Sequence, residues 1–267
     1  MVTYTMGHSK INIEQNLLHV REEIAHAARK AGRKGEEIRL VAVTKSAEPE
    51  DIQSLVCLGV HDLGESRVQQ LLDRANDLHR SMGDPGSPIL QGLGEVISGE
   101  QKPSTGSTKP TGGVRWHMVG HLQRNKVRPV LEVVGVVHTL DSLRLAEEIN
   151  ARAEKMGKIM EVLMQVNCSQ ETQKFGVAVG AAFHLAELVS TMKNLRLMGL
   201  MTMGPLEGGA EAARPAFARL RELFEEMRHE DIARGSFRHL SMGMSRDYQI
   251  AIEEGATIVR IGSALFE

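Results

Sequence analysis

Residues 38–59 read IRLVAVTKSAEPEDIQSLVCLG. The first part, IRLVAVTK, is a short apolar run rich in β-branched residues, the pattern of a strand buried in a parallel sheet. EPEDIQSLVCLG then reads as a helix, with Glu48, Pro49, Glu50 and Asp51 suited to its first turn. The same strand-then-helix unit recurs along the chain. VHDLGES (60–66) is a second strand, followed by a helix over 67–81. VRWHMVG (114–120) is a third, with a helix across 125–133. VGVVHTLD (134–141) and IMEVLMQVN (159–167) follow, with helices over 142–157 and about 181–192. LRLMGLMTM (195–203) precedes a long helix through 212–228. FRHLSMG (237–243), a short helix near 247–253 and ATIVRIG (256–262) complete the series.

Eight strands, each but the last followed by a helix, predict an α/β fold, a single closed (β/α)8 barrel of the TIM type. An open doubly wound sheet is the alternative, and the even spacing favours closure. An extra helix over 11–31 precedes the first strand. It carries Ile13, Leu17, Val20, Ile24 and Ala28 at helical spacing, and Gly32 and Gly35 end it. The whole chain, 1–267, is expected to be one domain. Its rhythm breaks only at 83–113, rich in Gly, Pro, Ser and Thr, which reads as a flexible insertion on the face of the barrel opposite the strand ends.

The composition is 42% hydrophobic and 25% charged, enough apolar material for a sizeable core. A net charge of −2 gives no reason to expect nucleic acid or an anionic membrane as partner, and one Trp with two Tyr leaves few stacking platforms. Cys57 and Cys168 make neither a disulfide framework nor a zinc-type spacing, so no metal is expected and both read as reduced thiols. The opening MVTYTMGHSK lacks the apolar core of a secretory signal, and no stretch has the length to cross a bilayer. A cytoplasmic protein is expected.

Lys45 stands at the carboxyl end of the first strand, which in a barrel faces the catalytic mouth. A desolvated lysine there can form a Schiff base with an aldehyde, since burial favours the free amine. From the position alone, a plain solvated lysine in a loop is the favoured reading. HLSMGMS (239–245) adds Ser241, Met242, Gly243 and Ser245 after the seventh strand. Gly243 permits close backbone approach, and Ser245, ahead of Asp247, reads as a helix N-cap. VRIGSA brings Arg260, Gly262 and Ser263 to the end of the eighth. Barrel phosphate sites are frequently built from these two loops; the same Gly and Ser residues also serve ordinary tight turns. A Schiff-base lysine beside a phosphate cradle implies a phosphorylated aldehyde, of which pyridoxal 5′-phosphate (PLP) is the commonest cofactor. Arg260 would then lie near the pyridine nitrogen and disfavour its protonation.

Other residues read more plainly. His117 and His121 flank the end of the third strand; His121 is placed toward the cofactor mouth, with a structural hydrogen-bonding role as the alternative. Trp116 reads as core or as a wall against the ring. Asn167 either orients polar groups near the ring or caps its loop. Glu171 and Lys174 form a surface charge pair, Cys168 is inert, and Met198, Met201 and Met203 pack the barrel.

Taken together, VAVTK at 41–45, GESRVQQ at 64–70, WHMVGHLQRNK at 116–126, HTLDS at 138–142, VLMQVNCSQETQKFG at 162–176, LMGLMTM at 197–203, LSMGMSRDYQIAI at 240–252 and VRIGSALF at 259–266 give a chain that resembles the YggS/PROSC family of PLP-binding proteins. That family's fold is similar to the N-terminal barrel of alanine racemase. The resemblance implies PLP held as a Schiff base on Lys45, its phosphate on Ser245 and the backbone around Gly262 and Ser263, and Arg260 as the pyridine-nitrogen partner. It implies a role in vitamin B6 homeostasis without an established reaction, PLP-dependent apo-enzymes as partners, and a monomer as the simplest assembly. Three departures stand out: Ser66 where the family has Asn, the long insertion, and an end at Glu267 where the family continues. The competing reading is a PLP-dependent amino-acid racemase. Alanine racemase takes a second base from an additional β domain and a dimer partner, and the sequence here stops at the barrel, which favours a carrier. A Schiff-base aldolase without PLP is a third reading.

Overall fold

Arg39–Val43 (β1) pairs in parallel with Asp62–Glu65 (β2) on one side and with Ile258–Ile261 (β8), near the end of the chain, on the other. That second pairing closes the barrel. The computed structural model describes residues 12–81, 113–169, 171, 175–205, 207–233 and 235–267. Between β2 and β8 run Arg115–Met118 (β3), Val134–Leu140 (β4), Met160–Asn167 (β5), Leu195–Met201 (β6) and His239–Ser241 (β7), each parallel to the next. The expected eight-stranded closed barrel is therefore the fold. Residues 83–112 of the expected insertion, and Lys174, lie outside the described residues.

Helices cover the outside, as parallel strands buried on both faces require. Ile13–Lys30 (α1) precedes β1, and Pro49–Cys57 (α2), Val68–Ser81 (α3), Val127–Leu131 (α4), Leu143–Lys155 (α5), Val179–Ser190 (α6), Arg214–His229 (α7) and Tyr248–Glu253 (α8) follow the first seven strands. α1 starts where the Asn12 side chain accepts from Gln15 N at 3.0 Å, satisfying an amide the helix cannot. Its apolar stripe, Ile13, Leu17, Val20, Ile24 and Ala28, is buried, and it packs on α8 and on a last turn of helix, Ser263–Phe266 (α9). Asn16 Nδ2 ties it to the Leu265 carbonyl at 3.1 Å. Neither α9 nor the two-residue strand Val177–Ala178 is legible in the sequence, being too short to show a period. α4 is shorter than expected because its first turn, Arg124–Lys126, is 3-10.

Inside the barrel, Val41, Leu163, Met198, Met201 and Ile258 form an apolar plug, with Met203 packed against it. The methionines thus serve packing. Above and beside this plug the interior turns polar, and that change of character marks the site. Among the described residues no helix is long and apolar enough to cross a membrane.

Candidate functional site

A cavity of about 490 Å³ opens where the strands end, the usual place for chemistry in this architecture. Lys45, His121, Ser245, Arg260, Gly262 and Ser263 all line it. A larger cavity, about 840 Å³, lies at the other end of the barrel, among Arg39, His61, Asp62 and His239. Its lining is basic, with Lys34 and Arg21, Arg29, Arg33 and Arg39, but it lies away from the carboxyl ends of the strands, so the smaller one is the candidate.

Lys45 sits on a 3-10 turn, Thr44–Ser46, that directly continues β1. The desolvation expected of it is not found: the turn lies on the open lip of the cavity, and Lys45 is exposed. Its backbone is held instead. Arg74, from α3, donates to the carbonyls of Thr44, Lys45 (3.2 Å) and Ala47 (3.1 Å) and to Glu65 Oε2. Glu65, with a fully buried side chain, also accepts from the Thr44 hydroxyl (3.1 Å) and from the amides of Ser66 (2.7 Å) and Arg67 (3.3 Å). A buried carboxylate needs this many partners to offset its lost hydration. The pair is a clamp on the lysine turn that the sequence reading missed. The usable signal was a Glu closing a buried strand, with an Arg on the inner face of the next helix.

Beside the end of β1, Ser245 Oγ accepts from the amides of Gly262 (3.2 Å) and Ala264 (3.3 Å). The expected N-cap role is therefore corrected: Asp247 occupies the N-cap position of α8, and Asp247 Oδ1 accepts from Met244 N at 2.6 Å. Ser245 instead joins the loops after β7 and β8. Gly243 has φ +93°, and a Cβ there would stand 2.6 Å from Ala251 Cβ and 2.9 Å from Tyr248 Cα, so only glycine lets the loop lie this close to α8. Met242 is buried beneath it.

Arg260 is only 4% exposed yet reaches the cavity floor. Nη1 donates to Ser241 Oγ at 2.6 Å and Nη2 to the Thr202 carbonyl at 2.9 Å. Burial lowers its pKa to about 10, with Asp247 opposing, so it remains a cation at neutral pH. Ser241 is fully buried and faces inward from β7, below the cavity rather than in it. Its hydroxyl meets His138 Nδ1 at 2.9 Å; His138 Nε2 meets His117 Nδ1 at 2.8 Å; His117 Nε2 meets Asp62 Oδ1 at 2.8 Å. Burial lowers the pKa of both histidines. For Asp62, burial alone would raise the pKa, but the His117 hydrogen bond and the charges of His117, Arg39 and Arg115 outweigh it and hold the carboxyl at about 2.

The wall opposite is aromatic. His121 stacks on Phe175 with ring centroids 4.0 Å apart, its Nδ1 3.4 Å from Asp141 Oδ2. Phe175 is 54% exposed, an unusual position for a large apolar ring unless something covers it. Gln165, 2% exposed, lines the cavity and donates to the Phe175 carbonyl at 3.0 Å, while its Oε1 has no hydrogen-bond partner among the described residues. Buried acceptors are rarely left so, and a donor on a bound molecule would satisfy it. Asn167 stands outside the cavity lining: Nδ2 donates to the Glu171 carbonyl at 3.0 Å, and Oδ1 accepts from Ser169. It shapes the loop after β5. Trp116 is core, and burial pushes the Cys168 thiol up to about 11.

The geometry thus gathers an exposed amine, a buried permanent cation, a hydroxyl and two backbone amides, an aromatic wall and an orphan acceptor around one space. That is a fitting set for a flat, phosphorylated aldehyde. Residues 15–267 match the family model described as alanine racemase, N-terminal domain. A pyridoxal phosphate homeostasis protein of Aquifex aeolicus is 35% identical over 257 residues, covering 96% of this chain and 98% of that one. Its counterpart in Escherichia coli K12 is 34% identical over 262 residues, with 96% of each chain covered. Among solved structures, a protein of Bifidobacterium adolescentis described as unknown superposes with a TM-score of 0.83 at 31% identity, covering 99% and 98% of the two chains. PipY of Synechococcus elongatus PCC7942, solved with PLP bound, gives a TM-score of 0.73 at 24% identity over 96% of this chain and all of that one, a likeness of fold. The chain belongs to the family of pyridoxal phosphate homeostasis proteins, built on the alanine racemase N-terminal domain.

Proposed function

We propose that this protein holds PLP in the carboxyl-end cavity and contributes to intracellular PLP homeostasis, with Lys45 as the covalent anchor. The observation that carries the proposal is the meeting of Lys45, Arg260 and the Ser245–Gly262–Ser263 loops around one cavity. When bound, PLP would supply an aldehyde able to form a C=N bond with a lysine amine, with loss of water. The chain's own residues do the rest. Arg74 and Glu65 keep the amine-bearing turn in place. Ser245 and the amides of Gly262 and Ala264 would hold the phosphate, as a hydroxyl and two N–H donors in one loop pair. Arg260 would be the partner of the ring nitrogen and, as a cation, would disfavour a proton on it.

That last property suits holding or racemisation better than chemistry that needs a full carbanion stored in the ring. Chemistry that stores a full carbanion in the ring draws on a protonated nitrogen, and an arginine there withholds it. The names of the Aquifex aeolicus and Escherichia coli relatives accord with holding. An amino-acid racemase is the second reading, favoured by the shared barrel and compatible with Arg260 at the ring nitrogen. The cytoplasm as location rests on free Cys57 and Cys168, with a monomer and apo-enzyme recipients as the accompanying proposals. Titrating the protein with PLP while recording its absorbance tests binding. Chiral analysis of alanine and other amino acids after long incubation tests turnover, and racemisation at an enzyme's rate would replace holding with catalysis.

A further inference from the structure

Four hydrogen bonds in series run through the barrel interior from Arg260 to Asp62, by way of Ser241, His138 and His117. Asp62 is the first residue of β2 and Arg260 stands near the end of β8, so the series links the two mouths of the barrel. With both imidazoles neutral, the carboxylate end fixes its direction. A guanidinium only donates and a carboxylate only accepts. Ser241 Oγ therefore accepts from Arg260, and its own hydrogen has His138 Nδ1 as partner. With Nδ1 accepting, neutral His138 carries its proton on Nε2 and donates to His117 Nδ1. His117, likewise protonated on Nε2, donates to Asp62 Oδ1. Every hydrogen points from the cofactor cavity toward Asp62. A second proton on His117 would face the His138 N–H, and one on His138 would turn the Ser241 hydroxyl away from the ring. Burial, which lowers the pKa of both histidines, agrees with that.

We infer that His138, His117 and Asp62 are positioning residues for Arg260, a one-way chain that fixes the Ser241 hydroxyl as acceptor and so sets the guanidinium at the cavity floor. The chain also couples that floor to the far mouth. Asp62 lines the larger cavity there, its second oxygen 3.8 Å from Arg39 Nε. Removing the acceptor at Asp62 frees His117 to move its proton to Nδ1, which reverses His138 in turn and sets an N–H against Ser241. Arg260 then shares the Ser241 oxygen with a second donor, although the change is made at the opposite end of the barrel. The effect on bound PLP rests on the proposed function; the order of protons within the chain does not.

Long-range 1H–15N spectra of the histidine side chains in the full-length, cofactor-free protein at pH 7 read this directly. Both His117 and His138 are expected neutral and protonated on Nε2. A proton on His138 Nδ1, or a doubly protonated ring, overturns the inference. Asp62→Ala is expected to change the His138 tautomer, move the absorbance of bound PLP and weaken its binding about twofold to tenfold, the worth of one hydrogen bond. Asp62→Asn, which keeps an acceptor, should restore all three. Unchanged tautomers and absorbance in Asp62→Ala would also overturn it. If Asp62→Ala does not fold, the wild-type tautomers decide alone. A wild-type protein that binds no PLP defeats the functional proposal while the spectra still decide the chain.

Discussion

Arg74 donates to the backbone carbonyl of Lys45 across 3.2 Å while the same guanidinium pairs with the buried Glu65. The turn that offers the amine is thereby fixed by a helix that contributes nothing else to the cavity. Arg74→Ala removes the ties to Thr44, Lys45 and Ala47 together and leaves the Glu65 carboxylate buried without its cation. A loss of about 3 kcal/mol in folding stability is expected, with weaker PLP binding, measurable by urea unfolding and by titration. Arg74→Lys should rescue only part of the loss, because an ammonium cannot span three carbonyls and a carboxylate as a planar fork does.

Gly243→Ala tests the loop after β7. The backbone there is left-handed, and the new methyl would meet Ala251 Cβ and Tyr248 Cα. The cost should be about 1–3 kcal/mol, seen as a lowered melting temperature. The loop's displacement should also carry Ser245 away from the Gly262 and Ala264 amides, so PLP affinity falls with stability.

The barrel and its strand-end residues were legible because they rest on local signals. Apolar β-branched runs such as IRLVAV and ATIVRIG, spaced by amphipathic helices, leave few topologies open. Lys45, Arg260 and Gly262 could be placed at strand ends from the chain order alone. What stayed hidden depends on closure. The Glu65–Arg74 clamp, the stacking of His121 on Phe175, and the series from Asp62 to Arg260 all join residues from different units, and no period in the sequence records such meetings. Ser245 shows the same limit. Its spacing from Asp247 suggests a cap, yet its partners come from the loop after β8, where Gly262 and Ala264 have amides in need of an acceptor.

Stability should fall as the solution is acidified, in two windows. His239 is held at about 4 by burial, with Arg39 and Arg238 adding to the effect, below an ordinary 6.5. Between these values the unfolded chain takes up a proton that the folded one refuses. Its contribution is complete above pH 6.5 and is lost progressively down to pH 4, on the order of 2–3 kcal/mol; the lowered His117 and His138 add in the same direction. Asp62, at about 2 against 3.8, favours the fold above pH 3.8 and loses that contribution as pH falls through 2. Urea midpoints measured from pH 8 to pH 4 should decline steadily below 6.5, and a flat profile would refute the assignment of these histidines as neutral.

Ser245→Ala should separate the phosphate cradle from the anchor. The amides of Gly262 and Ala264 remain, but the hydroxyl that organises them is gone. PLP affinity is expected to drop about twofold to tenfold, with Lys45 still attaching. Pyridoxal, which has no phosphate, should bind the variant and the wild type equally well.

The central claim is that Lys45 anchors PLP. Incubation with PLP, reduction with borohydride and peptide mass mapping test it most directly. The expected result is one phosphopyridoxyl group per chain, on Lys45, and none on the Lys45→Ala protein, whose PLP binding becomes weak and reversible. A reduced adduct on another lysine, or no adduct when PLP is saturating, would contradict the account.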